Sequence, residues 1–253
     1  MSTYVDNPHP STIVDTYGGG VVIETAEQGA PGRSTEDRIR VLPNAVVVLD
    51  GVTSRRPPDR NGGWYATQLA DELGRLLDAE TALTDLLAQA IANLAERHDL
   101  VPGDSPAATA AIVRWNDEKI DALVLCDTPV VAFGRTTEVV EDTRLADLRP
   151  DPDILRWKNK PGGYWVAEAD PEAGRQALTA SWPRSAVEKV VVATDGVSCG
   201  VSEYGLFSWE ELAELPLADA LDRIRAAERG DPEHTRWPRY KTHDDQAIAR
   251  LRL

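Results

Sequence analysis

The chain has 253 residues, 42% of them hydrophobic and 27% charged, with a formal net charge of −15. That supplies apolar material for a sizeable core in one domain of mixed α and β structure. So acidic a surface repels nucleic acid and anionic membranes, although bound cations can reverse the field locally.

Cys126 and Cys199 lie far apart and suggest neither a disulfide framework nor a zinc site. No charged-then-apolar leader opens the chain, and no apolar run is long enough to span a bilayer. The expectation is a cytoplasmic monomer that binds neither nucleic acid nor membrane.

In chain order, the first 17 residues are polar and read as irregular, and 21–25 reads as a short strand. The β-branched run 46–49 ends in Asp50-Gly51, a buried strand entering a turn. Residues 54–63 are rich in Arg, Pro and Gly and read as a loop. Leu69, Leu73 and Leu76 mark one helix, and Leu83, Leu86, Leu87, Ala90, Ile91 and Leu94 a second. Strands are predicted at 108–115, 122–126 and 130–134, the first two joined by the polar turn 116–119. Residues 136–164 are polar with scattered prolines and read as a flap-like insertion. A buried strand follows at 190–193, then a charged helix at 218–229 and a last strand at 246–253. Helices grouped between runs of strands predict an α+β layered sandwich, one domain over 1–253, rather than a doubly wound parallel sheet.

Two segments share one design. VVVLDGVT at 46–53 and KVVVATDGVS at 189–198 are each a β-branched run, then Asp-Gly, a small apolar residue and a hydroxyl. Each carries a carboxylate to the edge of the core, where glycine lets the chain turn sharply and exposes a carbonyl. Either copy alone is an ordinary turn. With Asp127 after a third strand and Asp244-Asp245 before the last, strand-end carboxylates from four distant segments point to a site for hard cations such as Mg²⁺ or Mn²⁺.

The order Glu36-Asp37, Asp50-Gly51, Asp127, Thr194-Asp195-Gly196, Asp245-Gln246 resembles the metal-dependent protein phosphatase 2C family in its bacterial form, over roughly 17–253. The resemblance implies a four-layer α-β-β-α sandwich with a central pair of antiparallel sheets. It implies two Mn²⁺ or Mg²⁺ ions sharing a bridging water that attacks phosphoserine or phosphothreonine in proteins. Asp50 would bridge the ions and Gly51 would lend its carbonyl. Asp195 and Asp245 would ligate the second ion, and Glu36 and Asp37 would hold metal-bound waters. Asp127 with Asp195 would form a third metal site. Arg33 matches the family's phosphate-gripping arginine, one residue nearer the acidic pair than is typical, and a solvated loop charge is the alternative. Arg38 is the reserve.

Several departures stand out. Cys126 crowds the glycine of the Gly-Asp-Ser motif, Gln246 replaces an asparagine, and Val52-Thr53-Ser54 followed by an Arg/Pro loop replaces Met-Gly-Gly. Cys126 reads as a small core residue and His243 as a loop or supporting residue. A phosphatase for small phosphate esters and a non-catalytic binding module are the competing functions.

Overall fold

In the computed structural model, the structure describes residues 11–16, 20–52 and 60–253. Eleven strands are described: β1 Ser11–Thr16, β2 Val22–Gln28, β3 Arg38–Leu42, β4 Ala45–Leu49, β5 Ala110–Trp115, β6 Lys119–Leu125, β7 Val130–Gly134, β8 Thr137–Val140, β9 Leu178–Pro183, β10 Val187–Ala193 and β11 Gln246–Arg252. The helices are α1 Gly62–Leu76, α2 Leu83–His98, α3 Arg144–Leu148, α4 Glu172–Arg175, α5 Asp195–Ser202, α6 Trp209–Leu212 and α7 Leu217–Arg229. One sheet has the order β1-β2-β11-β10-β7-β8 and the other β3-β4-β5-β6-β9. Every pairing between these strands is antiparallel.

Strand alternation builds the layers. Val46 and Val48 of β4 face the other sheet and meet Val190 and Val192 of β10 and Ala249 and Leu251 of β11. Val47 and Leu49 face the opposite way, onto Tyr65, Leu69 and Leu73 of α1 and Leu87, Ile91 and Leu94 of α2. Behind β10 and β11, Val191, Ala193 and Ile248 pack on Val197 of α5 and on Leu217, Leu221 and Ile224 of α7. The fold is therefore an α-β-β-α sandwich in which both sheets are covered twice. Their central strands read as continuous apolar runs for that reason.

Antiparallel order decides where the strand ends go. The carboxyl ends of β4 and β6 and the amino ends of β3 and β5 share one edge of their sheet. The carboxyl ends of β2 and β10 and the amino ends of β7 and β11 share one edge of the other. The chain passes between the sheets at these edges, from β2 to β3 through 29–37 and from β6 to β7 through 126–129. Asp37, Asp50, Asp127, Asp195 and Asp245 all sit at this end.

Four sequence expectations need revision. Residues 11–16 form an edge strand. Asp195-Gly196 begins α5 instead of making a simple turn. Residues 136–164 contain β8, paired with β7, and Leu145, Leu148, Ile154, Trp157 and Tyr164 close over Ala107, Cys126 and Val166. Helix α1 starts at Gly62, capped by the Asn61 side chain accepting from Trp64 N at 2.9 Å. The predicted 55–60 loop lies outside the described residues except Arg60, which donates to the His98 carbonyl at 3.2 Å and stacks on Trp64.

Ile112 is fully buried where β5 meets the α1–α2 layer. Ile112→Ala should lower unfolding free energy by about 2–5 kcal/mol, because close packing leaves a cavity in its place. Urea unfolding followed by circular dichroism checks this, and a loss below about 1 kcal/mol would show a core able to collapse around the gap.

Candidate metal centre

The segment between β2 and β3 is shaped by Asp245. Its Oδ1 accepts from Ala30 N at 2.7 Å and its Oδ2 from Glu36 N at 2.9 Å. Arg33 lies over the same carboxylate, Nη2 to Oδ2 at 3.3 Å, and reaches Asp244 at 3.9 Å and Glu36 at 4.0 Å. One acid at the start of β11 thus sets the path of the loop that carries Arg33, Glu36 and Asp37. Glu36 in turn accepts from the Asn61 side-chain amide at 2.5 Å, which ties the loop to the start of α1.

Thr194 is the second fixed point. Its hydroxyl donates to Asp37 Oδ2 at 2.9 Å and accepts from Ala247 N at 3.0 Å, and its backbone N donates to the Ala247 carbonyl at 3.0 Å. The hydroxyl in the strand-end motif therefore joins β10, β11 and Asp37 from a fully buried position. The glycine after each aspartate is explained by crowding. A Cβ on Gly196 would stand 1.8 Å from the Asp245 carbonyl oxygen, and one on Gly51 would stand 2.5 Å from Gly62 and 2.7 Å from the Glu36 carbonyl oxygen. Neither glycine has a positive φ. Close approach of neighbouring backbones, not an unusual turn, excludes a side chain there.

Asp50 and Asp127 are linked beneath the surface. Asp50 N donates to Thr109 Oγ1 at 3.3 Å, and Thr109 shares a 2.5 Å hydrogen bond with the buried Thr128 hydroxyl, one residue after Asp127. Cys126 has φ +66°, the left-handed conformation for which the family's glycine is suited, and this residue type carries about 1–2 kcal/mol of strain there. Cys126 N donates to the Asp142 carboxylate at 3.0 Å, and Asp142 is held by Arg144 at 2.7 Å, so the turn is fastened from outside. Burial pushes the Cys126 and Cys199 thiols well up, which keeps both protonated.

The acids act on one another electrostatically. Asp50 is pushed well up by burial, then by the charges of Asp37, Asp195, Asp244 and Asp127. Asp195 is pushed well up by burial, then by Asp127 and Asp244. Burial and Asp245 raise Asp37 to about 7, and burial raises Asp127. Asp37 Oδ1 is buried without a hydrogen-bond partner among the described residues. Among the described residues no three His, Cys, Asp or Glu side chains form a ready-made cation cage. The donor set nonetheless fits hard divalent cations: it is all oxygen, strongly negative, and leaves a buried carboxylate oxygen wanting a positive partner.

Residues 32–230 match the family described as Protein phosphatase 2C. The chain belongs to the protein phosphatase 2C family. Members are Ser/Thr protein phosphatases, which are hydrolases. The fold is similar to that of the serine/threonine phosphatase Stp1 from Staphylococcus aureus, at 12% identity and TM-score 0.61 over 98% of this chain and 99% of that one. It is also similar to PstP/Ppp from Mycobacterium tuberculosis, at 15% identity and TM-score 0.59 over 95% and 99%. The PstP catalytic domain in complex with two manganese ions matches at 15% identity and TM-score 0.57, over 92% and 98%. Comparison with curated proteins found no match.

In this phosphatase 2C chain the seven predicted ligand residues, Glu36, Asp37, Asp50, Gly51, Asp127, Asp195 and Asp245, come to one end of the sandwich, with Arg33 at their rim. Arg38, the reserve cation, is turned away and donates to Thr67 and to the Thr35 and Asp37 carbonyls. His243 Nδ1 lies 2.9 Å from Glu228, which also pairs with the buried Arg225. Arg225 in turn donates to the Asp244 carbonyl at 2.8 Å, so this trio fixes the approach to β11. Sequence reasoning counted Asp244 only within the acidic pair at 244–245 and left Lys241, Arg149 and Thr109 out of the site. Asp244 acts on Asp37, Asp50 and Asp195. Lys241 holds Asp244, Arg149 reaches Asp127 at 3.8 Å, and Thr109 supports Asp50. Only for Asp244, beside Asp245, did the sequence carry a signal.

The raised acids give the metal-free protein a pH signature. Asp37 is raised from 3.8 to about 7, and Asp50 and Asp195 shift in the same direction. A raised acid binds more protons folded than unfolded, so stability is greatest below 3.8 for this contribution and is lost as pH rises through about 7. Metal-free protein should therefore melt lower at pH 7.5 than at pH 5 on this account, and Asp37→Asn should flatten the slope. Thermal melts in chelator across that range check it, and a stability that rises with pH equally in both proteins would contradict the electrostatic picture.

Proposed function

We propose that this phosphatase hydrolyses phosphoserine and phosphothreonine in proteins, and that Mn²⁺ or Mg²⁺ is held by Asp50, the Gly51 carbonyl, Asp195 and Asp245. Glu36 and Asp37 flank that core, and Asp127 with Asp195 serves a third, looser position. The convergence of mutually repelling strand-end carboxylates from both sheets carries this reading. The protein substrate and the two-ion site are also suggested by relatives whose descriptions name serine/threonine phosphatases and two manganese ions.

When bound, paired divalent ions supply an activated water nucleophile and stabilise the charge on the phosphoryl oxygens. The chain's own residues do the rest. Thr194 fixes the Asp37 carboxylate through its 2.9 Å hydrogen bond, so that acid is oriented before any ligand arrives. Asp245 holds the loop that presents Arg33, and Arg33, about one third exposed, is placed to meet a phosphate entering from solvent. Its planar fork suits a phosphoryl group that offers several oxygens. Neither cysteine supplies the nucleophile, since both are buried with their thiols pushed up. Arg149, paired with Glu203 at 3.0 Å, brings a cation from the 136–164 insertion to the Asp127 side of the site.

Hydrolysis of p-nitrophenyl phosphate and of a phosphothreonine peptide should require Mn²⁺ or Mg²⁺ and stop in EDTA. Asp50→Asn and Asp195→Asn should each lower kcat by on the order of a hundredfold or more, with circular dichroism unchanged, because each removes charge that the ions need. Full activity after exhaustive chelation would refute the proposal. Asp127→Ala should lower kcat while leaving the tightest Mn²⁺ binding event intact, since a site with few protein carboxylates holds its ion loosely. Calorimetric titration beside steady-state kinetics checks it, and loss of the tightest event would move Asp127 into the core.

A further inference from the structure

The loop between α7 and β11 is built around one acid and leads to one cation. Asp231 accepts from the backbone N of Thr235 at 2.9 Å, of Arg236 at 3.1 Å and of Trp237 at 3.1 Å. Arg239 fills its centre, bonding Asp231 Oδ2 at 2.8 Å and the carbonyls of Asp231, Glu228 and Trp237. His234 braces the far side through the Arg239 carbonyl and the Thr242 hydroxyl. A loop fastened this thoroughly holds its exposed residues in fixed places. Lys241 follows directly, with Nζ at 2.8 and 3.0 Å from the two Asp244 oxygens.

Most other cations near the site are already committed. Arg38 bonds Thr67 and backbone carbonyls, Arg144 holds Asp142, Arg225 is buried on Glu228, and Arg149 holds Glu203. Arg33 and Lys241 are paired too, but with acids of the centre itself, Arg33 with Asp245 at 3.3 Å and Lys241 with Asp244 at 2.8 Å. They reach Asp244 from separate loops, at 3.9 and 2.8 Å, with side chains 35% and 40% exposed. Lys241 also lies within electrostatic range of Asp195 and Asp50.

We propose that Lys241 and Arg33 together form the phosphate grip of this enzyme, closing on the phosphoryl group from two loops. A phosphomonoester brings a charge near −2 and three acceptor oxygens, more than one guanidinium satisfies. Lysine suits the second place, since its flexible stem lets the ammonium leave an Asp244 oxygen for a phosphoryl oxygen. That exchange leaves the Asp244 carboxylate, whose charge already acts on Asp37, Asp50 and Asp195, without its ammonium partner. Substrate capture and the charge of the centre are thereby linked through one side chain. The inference deepens the phosphatase reading and rests on it.

The test is calorimetric titration of inorganic phosphate into the full chain with Mn²⁺ present, beside steady-state hydrolysis of p-nitrophenyl phosphate, for the parent, Lys241→Ala and Lys241→Arg. Losing one charge-assisted contact should weaken phosphate binding and raise KM by roughly tenfold in Lys241→Ala. The loss of phosphate affinity in that variant should exceed any change in Mn²⁺ affinity, and Lys241→Arg should recover most of the loss in phosphate affinity and KM. Phosphate affinity and KM within about twofold of the parent would overturn the grip. So would a fall in kcat that tracks weaker Mn²⁺ binding, since Lys241 would then act only as the partner of Asp244. A parent that neither binds Mn²⁺ nor hydrolyses p-nitrophenyl phosphate would instead defeat the proposed function, and the phosphate titration would still report on the grip by itself.

Discussion

Repulsion among carboxylates is the constraint around which this molecule is organised. Beyond the effect of burial, the charges of Asp37, Asp127, Asp195 and Asp244 raise the proton affinity of Asp50, and those of Asp37, Asp127 and Asp244 raise that of Asp195, in a chain that is already strongly acidic. Such a cluster is unfavourable alone and can be held only by structure that is stable for other reasons. The doubly covered sheets provide it. Both central strands that end in Asp-Gly are buried on each face, and each carboxylate lies one or two residues beyond its strand. The stability of the sandwich opposes the repulsion, and a cation relieves it.

Inside the centre the acids are kept in place by a small set of neutral or backbone contacts, with opposite charges only at the rim. Thr194 bonds Asp37 and β11 together, Thr109 and Thr128 join the turns that carry Asp50 and Asp127, and Asp245 is held by two backbone N–H groups. Hydrogen bonds of this kind orient a carboxylate without neutralising it, which leaves its charge for a ligand. The positive side chains that do approach, Arg33, Lys241 and Arg149, are partly exposed and sit at the rim. The centre thus has neutral supports inside and partly exposed cations at its rim, an arrangement suited to admitting metal ions and then a phosphate.

The parts legible from sequence were those whose signal is local. The runs 46–49 and 190–193 announced themselves because strands buried on both faces are uninterruptedly apolar, and the stripes of α1 and α2 followed the helical period. Strands β1, β3, β8 and β9 gave no such signal. Each is short and lies at the edge of its sheet, and β3 carries Arg38 and Arg40. Helix α5 was hidden because Asp-Gly reads as a turn, whereas here the glycine lies against the Asp245 carbonyl. Asp50, Asp127 and Asp195 could be singled out as ligand candidates because each follows a recognisable strand and Asp245 because it precedes one, whereas Glu36 and Asp37 stood out only through the order of the family's motifs. Lys241 and Arg149 were not, since a charge in a polar loop gives no hint of which distant carboxylate it will meet. The strain at Cys126 was half visible: cysteine in a glycine position was apparent, and its left-handed backbone required the structure.

The most direct test of the account is a crystal structure of the chain soaked in Mn²⁺, with the ions located by anomalous scattering. The account predicts two strong peaks within coordination distance of Asp50, at least one of them shared with Asp195, and none of comparable strength elsewhere. Ions bound only at peripheral acids, with Asp37, Asp50 and Asp195 left protonated against one another, would contradict it.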